Sequence, residues 1–156
     1  MRYVYHVTYA SRLPSIAKLG LVPGRRPVMG GDFDDCIHCS KIIFFTEQRG
    51  LRKWVKFAQD AAYDSCQDFV RAKHIPIVCR VQRPKGLICD EPGSKDARAP
   101  AFCLKGSVPP SSIEVWVDGR WIPIRRAVSK IQPSRAVRSG WFLKDTENPF
   151  VPAMAA

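Results

Sequence analysis

Apolar positions recur along this chain with two periods. Residues 3–8 alternate: Tyr3, Tyr5 and Val7 fall on one side, Val4, His6 and Thr8 on the other. Aromatic and β-branched residues at a period of two predict a strand. Leu13, Ile16 and either Ala17 or Leu19 then return at helical spacing. Ser11 is placed to cap this helix and Pro14 suits its first turn. Gly20 suits a left-handed helix end, and residues 21–24 turn the chain out. Residues 41–46, KIIFFT, form a continuous apolar run that predicts a buried strand. A second helix follows, with Leu51, Trp54, Val55, Ala58, Ala61 and Ala62 on one face. Arg49, Arg52, Lys53 and Lys56 lie mostly elsewhere, and the simplest reading of that charge is a solvated face.

The second half is richer in strands. Residues 75–82, IPIVCRVQ, predict a strong one, and Pro84-Lys85-Gly86 turns it into a short second one within GLICDE. Residues 92–100 read as a polar loop and 101–105 as another strand. Val108-Pro109-Pro110-Ser111-Ser112 is a rigid turn that breaks pairing. Residues 113–117 and 120–124 flank Asp118-Gly119, a hairpin signal. Strand, helix, strand, helix and then strands predict an α+β fold with a largely antiparallel sheet. Residues 25–40 have no period and read as a long mobile loop of the functional-lid or disordered kind. No internal repeat is visible. The pattern fades after about Arg125, and residues 149–156 read as a loose tail. The expected organisation is one domain over residues 1–124 and a basic, partly ordered C-terminal extension over 125–156.

Composition narrows the class. A chain of 156 residues, 46% hydrophobic and 25% charged, suffices for one domain with a real core. No run approaches the ~18 apolar residues of a membrane span. The N-terminus, MRYVYHVTYA, lacks the apolar stretch and cleavage site of a signal peptide. The expectation is a cytoplasmic protein, or an effector delivered by a dedicated secretion machine, without a membrane partner. The net charge of +11 would attract nucleic acid, acidic proteins or anionic cofactors. A solvated basic surface explains it as well, because the basic residues form no dense block. Residues 120–144 do hold seven of them and no acid.

The cysteines add little chemistry. Cys79 and Cys103 lie in predicted core strands, where a thiol is a small apolar side chain. Without an export signal, Cys36, Cys39, Cys66 and Cys89 are also expected to be reduced. Cys36-Ile37-His38-Cys39 has metal-like spacing but no second ligand pair, so a plain loop is preferred and no metal is assigned. The common motifs of hydrolases, metalloproteases, phosphate loops and dinucleotide folds are absent from the sequence. His6 alone reads as a structural hydrogen-bonder. His38 and His74 fall in predicted loops.

Three segments taken together say more. They are Tyr5-His6-Val7-Thr8 with its helix and Gly20-Leu21-Val22-Pro23-Gly24, Ile43-Phe44-Phe45-Thr46 with the Trp54 helix, and residues 101–113, AFCLKGSVPPSSI. In this order and spacing they resemble the ADP-ribosyltransferase superfamily, over roughly residues 3–117. That superfamily includes poly(ADP-ribose) polymerase-like enzymes, DNA-modifying toxins and RNA 2′-phosphotransferases. The resemblance implies a split, largely antiparallel β-sheet with flanking helices and NAD, as substrate, in the cleft.

It also implies roles. His6 would bond the adenosine ribose, and the backbone of Val7 would hold the nicotinamide amide, although the common form has glycine there. Phe44 falls at the tyrosine that stacks on nicotinamide, with Phe45 as the alternative; a phenyl ring keeps the stacking face and loses the hydroxyl. Thr8 and Thr46 would offer hydroxyls near the cleft. The family's glutamate, which grips the nicotinamide ribose and faces a developing positive charge, falls at or near Ala101. Glu91 and Glu114 flank that position, and Glu114 joins His6 as the catalytic candidate. Lys105 could instead hold a phosphate.

The leading expectation is an NAD-dependent ADP-ribosyltransferase acting on a nucleic-acid or protein acceptor. The alternatives are an RNA 2′-phosphotransferase-like enzyme, with Arg2, Arg12 and Arg80 as phosphate candidates, and an inactive NAD- or nucleic-acid-binding relative. A cognate antitoxin or immunity protein is conceivable by fold analogy alone.

Overall fold

In the computed structural model, β1 (Tyr3–Tyr9) lies in the middle of a seven-stranded antiparallel sheet. The residues described are 2–23, 42–65, 75–89, 101–131 and 151–152. The other strands are β2 (Ile43–Thr46), β3 (Pro76–Gln82), β4 (Ile88–Cys89), β5 (Ala101–Leu104), β6 (Ile113–Val117) and β7 (Arg120–Pro123), in the order β4-β5-β2-β1-β3-β6-β7. Among the described residues, three α-helices flank them: α1 (Leu13–Leu19), α2 (Leu51–Ser65) and α3 (Ile124–Lys130). The α+β class and the antiparallel sheet are as the periodicity predicts. No described helix is long and apolar enough to cross a membrane.

Alternation along β1 divides the core in two, because successive side chains of a strand point to opposite faces. Val4, Ile77, Cys79, Val81, Ile113, Val115 and Phe45 face α1 and α3, meeting Leu13, Ile16, Ile124 and Ala127. Val7, Tyr9 and Val78 face α2, meeting Leu51, Val55 and Ala58. Each fully buried aliphatic or aromatic side chain contributes about 1.5–3 kcal/mol. Tyr9 also donates from its hydroxyl to the carbonyl of Ala58 at 2.9 Å, which ties α2 to the sheet.

Registers differ sharply along the sheet. β1 pairs with β3 over its whole length, from Tyr3 opposite Gln82 to Tyr9 opposite Pro76. β2 pairs with β5 from Ile43 opposite Leu104 to Thr46 opposite Ala101. β1 and β2 are in register at one pair only, Tyr5 and Thr46.

The connections show where local signals held. Asp118 and Gly119 have φ of 47° and 83°, the two positive values of a primed hairpin turn, and they join β6 to β7. Gly20 ends α1 with φ 84°, and its N–H donates to the carbonyl of Ile16 at 2.8 Å. Leu21 and Val108 exchange backbone hydrogen bonds of 2.9 and 2.8 Å beside it. A Cβ on Gly20 would lie 2.1 Å from the Val108 oxygen, so only glycine lets the chain pass there.

Two expectations are corrected. Ser11 does not cap α1: it sits inside a 3₁₀ turn (Ala10–Arg12), and the N-cap position belongs to Arg12, with no side-chain cap bond. Pro14 does occupy the first turn. The pattern also does not fade at Arg125. Ile124 and Ala127 of α3 are fully buried and Ile131 nearly so, and α3 packs against α1, so residues 125–131 belong to the same core.

Candidate functional site

His6 lies in the middle of β1, on the face shared by Val4 and Thr8. Its Nδ1 donates to the carbonyl oxygen of Phe44 in β2 at 2.8 Å. A carbonyl only accepts, so this bond assigns the proton to Nδ1 and leaves the Nε2 lone pair available in the neutral ring. The side chain bridges β1 and β2 next to the one pair at which their backbones are in register. Burial lowers the pKa of His6 below the ordinary histidine value, and the Phe44 carbonyl, which favours the protonated ring, offsets this in part. His6 is therefore neutral at neutral pH.

The neighbours of His6 are mostly core. Phe45 is almost fully buried, its ring centroid 5.9 Å from that of His6. Cys79 stands directly across from His6 on β3. Burial pushes the Cys79 thiol up to about 12, so the pair is a thiol beside a neutral imidazole and not a thiolate nucleophile. Cys103, in β5, is likewise a buried cysteine. Cys36, Cys39 and Cys66 lie outside the described residues.

The expected site residues divide between the two faces of the sheet. Thr8 shares the face of His6 and is buried. Val7 turns its side chain into the α2 core. Thr46 is buried on that second face. Phe44 also points there, stacked at 6.4 Å and 25° on Trp54 of α2. Phe44 thus meets His6 through its main chain, and its ring faces away. Among the described residues, the indole Nε1 of Trp54 is buried without a hydrogen-bond partner.

Glu114 is not brought to His6. It sits on β6, separated from β1 by β3, opposite Arg80 in register. Arg80 Nε donates to its Oε2 at 2.7 Å. The Arg80 guanidinium lies over the rings of Tyr3 at 4.4 Å and Trp121 at 4.6 Å. Tyr5 and Trp116 complete this cluster, with centroids 5.8 and 5.1 Å from Trp121. The register places it all on the face opposite His6. Burial raises the Tyr5 pKa; Arg80 opposes that shift and Tyr3 adds to it. The carboxylate of Glu114 thus completes an arginine–aromatic cluster. Arg80, a phosphate candidate in the sequence, is occupied there. Arg2, Arg12 and Lys105 are exposed, and Glu91 lies outside the described residues.

One acid that motif reasoning passed over stands closer. Glu47 follows β2 directly, and the antiparallel register of Tyr5 with Thr46 places it beside Val4, on the face of His6. Its side chain is 12% exposed. Arg49 Nε donates to Oε2 at 3.0 Å, and Arg83 Nη1 stands 3.9 Å from Oε1. Arg83 also lies over the ring of Phe102 at 4.9 Å. The one sequence signal for Glu47 was an acid ending the apolar run IFFT.

No family model, curated protein or solved structure matches the chain.

Proposed function

We propose that the protein is an NAD-dependent ADP-ribosyltransferase-like enzyme that cleaves the nicotinamide–ribose bond and passes ADP-ribose to a nucleic-acid or protein acceptor. The observation that carries this reading is the order β5-β2-β1. The three segments on which the resemblance rests are far apart in sequence, and their strands are immediate neighbours in the sheet. The single in-register pair between β1 and β2 supports a split sheet opening beside His6.

In this reading the donor lies on the His6 face. Nε2 of neutral His6 accepts a hydrogen bond from the hydroxyl of the adenosine ribose, a task an imidazolium could not perform. Val7 serves through its backbone. Its side chain packs under α2, so valine in place of the family's glycine does not narrow the pocket. Phe44 contributes the carbonyl that orients His6 in place of a stacking ring.

Calorimetry with NAD and an assay for released nicotinamide test the proposal. The intact protein is expected to bind NAD and release nicotinamide, and folded His6→Asn to bind it at least tenfold more weakly. A folded wild-type protein that neither binds NAD nor releases nicotinamide overturns the reading. Loss of phosphate from a 2′-phosphorylated oligonucleotide in the presence of NAD would redirect it to the RNA 2′-phosphotransferase class.

A further inference from the structure

The face of the sheet turned away from His6 carries an aromatic row. At one end of β1 and β3, α2 packs against Val7, Tyr9 and Val78. Beyond α2 the same face presents Tyr3, Tyr5, Arg80, Trp116 and Trp121, all half-buried. Register fixes this placement: Tyr5 stands opposite Arg80, Arg80 opposite Glu114, and Trp116 opposite Trp121. Rings in continued contact with water forgo the free energy of full burial, and a contiguous group of them marks an interaction surface.

The row is preformed. The Arg80 guanidinium lies over Tyr3 at 4.4 Å and over Trp121 at 4.6 Å, and Trp121 meets Trp116 edge-on at 5.1 Å. The 2.7 Å bond from Arg80 to Glu114 holds the guanidinium in place. Rings already fixed lose little freedom when a partner stacks on them. Tyr3 and Trp116 end the row two strands apart, a lateral distance of roughly 10 Å. Cations surround it. Arg2 is exposed, with its guanidinium 5.6 Å from the Tyr3 ring. Arg52, Lys53 and Lys56 are exposed on α2, on the same side of the sheet. The charge of Glu114 is matched by Arg80, and the whole chain carries +11. Planar apolar faces among cations fit a polyanion with unpaired bases, which stack on rings while the phosphates meet the cations.

We infer that this face is a docking surface for single-stranded RNA, with bases stacked on Tyr3 and Trp116 and phosphates beside Arg2 and the α2 cations. Duplex RNA does not fit, because its bases are already stacked on one another. Glu114 favours RNA over DNA. One of its oxygens takes the Arg80 N–H, a carboxylate has about four acceptor sites, and the ribose 2′-hydroxyl is a donor that deoxyribose lacks. The surface is on the opposite face from His6, so the inference does not rest on the NAD reading, and RNA held here is separate from any acceptor in the His6 cleft.

The test titrates the full chain with a fluorescein-labelled oligouridylate of about ten nucleotides, followed by anisotropy of the label and by tryptophan emission. Binding should weaken steeply with salt and quench tryptophan emission as bases stack. Tyr3→Leu and Trp116→Leu keep an apolar side chain without a stacking face, and each should weaken binding about tenfold. Trp116→Phe, which retains a ring, should stay within about threefold of wild type. An oligodeoxyuridylate of the same length should bind more weakly than the RNA, and duplex RNA about tenfold more weakly or worse. If both folded leucine variants bind within about threefold of wild type, the attraction belongs to the diffuse basic surface and the inference is overturned. Duplex RNA bound as tightly as the single strand overturns it too, and DNA bound as tightly as RNA overturns the assignment to RNA. A folded wild type that binds no oligouridylate overturns it outright. The comparisons of single strand, duplex and DNA use wild type alone, so they decide the matter even where a leucine variant fails to fold.

Discussion

The imidazole of His6 and the carbonyl of Phe44 are joined by a 2.8 Å hydrogen bond across β1 and β2, which are otherwise in register at one pair. The bond couples stability to pH. The folded state holds His6 below its ordinary pKa, chiefly through burial. The unfolded chain, with an ordinary value of about 6.5, therefore binds more protons as the medium is acidified. The contribution is fully present above about pH 6.5 and is lost as pH falls through that value toward the lower, folded-state pKa. Thermal melts of wild type between pH 8 and 5 should show a falling midpoint. His6→Asn should lose part of this dependence, since an amide N–H still reaches the Phe44 carbonyl and does not titrate. His6→Ala removes that bond and should cost about 0.5–1.5 kcal/mol at pH 8. Equal pH slopes for wild type and His6→Asn would contradict the argument.

Gly20 passes close against the backbone of Val108. Its φ of 84° disfavours any side chain, and an added Cβ would sit 2.1 Å from the Val108 carbonyl oxygen. That oxygen accepts the Leu21 N–H at 2.9 Å, so relief requires breaking the bridge between the end of α1 and the segment before β6. Gly20→Ala should destabilise by about 3 kcal/mol, from backbone strain and the displaced bridge together. Urea denaturation would measure it, with a lowered midpoint and an unchanged slope as the expected form.

Most of the sheet was legible because its signals are local. Alternation in residues 3–8, the apolar run 75–82 and the Asp118-Gly119 turn need no tertiary information. α3 was not, because Ile124, Ala127 and Ile131 span two turns and follow Pro123 directly, too short a stretch to establish a period. The surroundings of Glu114 were not legible for a different reason. Glu114 and Glu91 were singled out by nearness in sequence to Ala101. In the sheet, however, β5 borders β2 and β4, whereas β6 borders β3 and β7. The end of β2 lies next to the start of β5, with Thr46 opposite Ala101, so β2 and not β6 borders that position. Strand order is a long-range property, and local pattern does not reveal it. The same limit hid the face of Phe44: KIIFFT is apolar throughout and does not show which ring turns toward α2.

Trp54 offers a test of what the Phe44 ring does. Its Nε1–H is buried with no acceptor among the described residues, a group that opposes folding by its lost hydration. Phenylalanine at that position keeps an aromatic partner for Phe44 and removes the N–H. Trp54→Phe should therefore be neutral or stabilising by up to about 1 kcal/mol, against a smaller loss from reduced ring area. Chemical denaturation measures this. Nicotinamide release should be unaffected, because the Phe44–Trp54 stack lies on the face away from His6. A destabilisation of more than about 2 kcal/mol would mean that the indole has an acceptor in solution.

Arg80 and Glu114 form an ion pair across β3 and β6. Glu114 accepts from Arg80 at 2.7 Å, and both side chains keep partial contact with water, 22% and 34%. Such a pair contributes modestly, so Glu114→Gln should cost about 0.5–1.5 kcal/mol and leave nicotinamide release within twofold of wild type. Arg80→Gln should cost more, because the guanidinium also lies over Tyr3 and Trp121. It should also move Tyr5. Arg80 opposes the upward shift that burial imposes on the Tyr5 hydroxyl, so removing the cation should raise that pKa further. Phenolate absorbance during an alkaline titration, with Tyr5→Phe to assign the transition, would report it. A downward shift of Tyr5 in Arg80→Gln would show that the guanidinium does not act on that ring as the geometry requires.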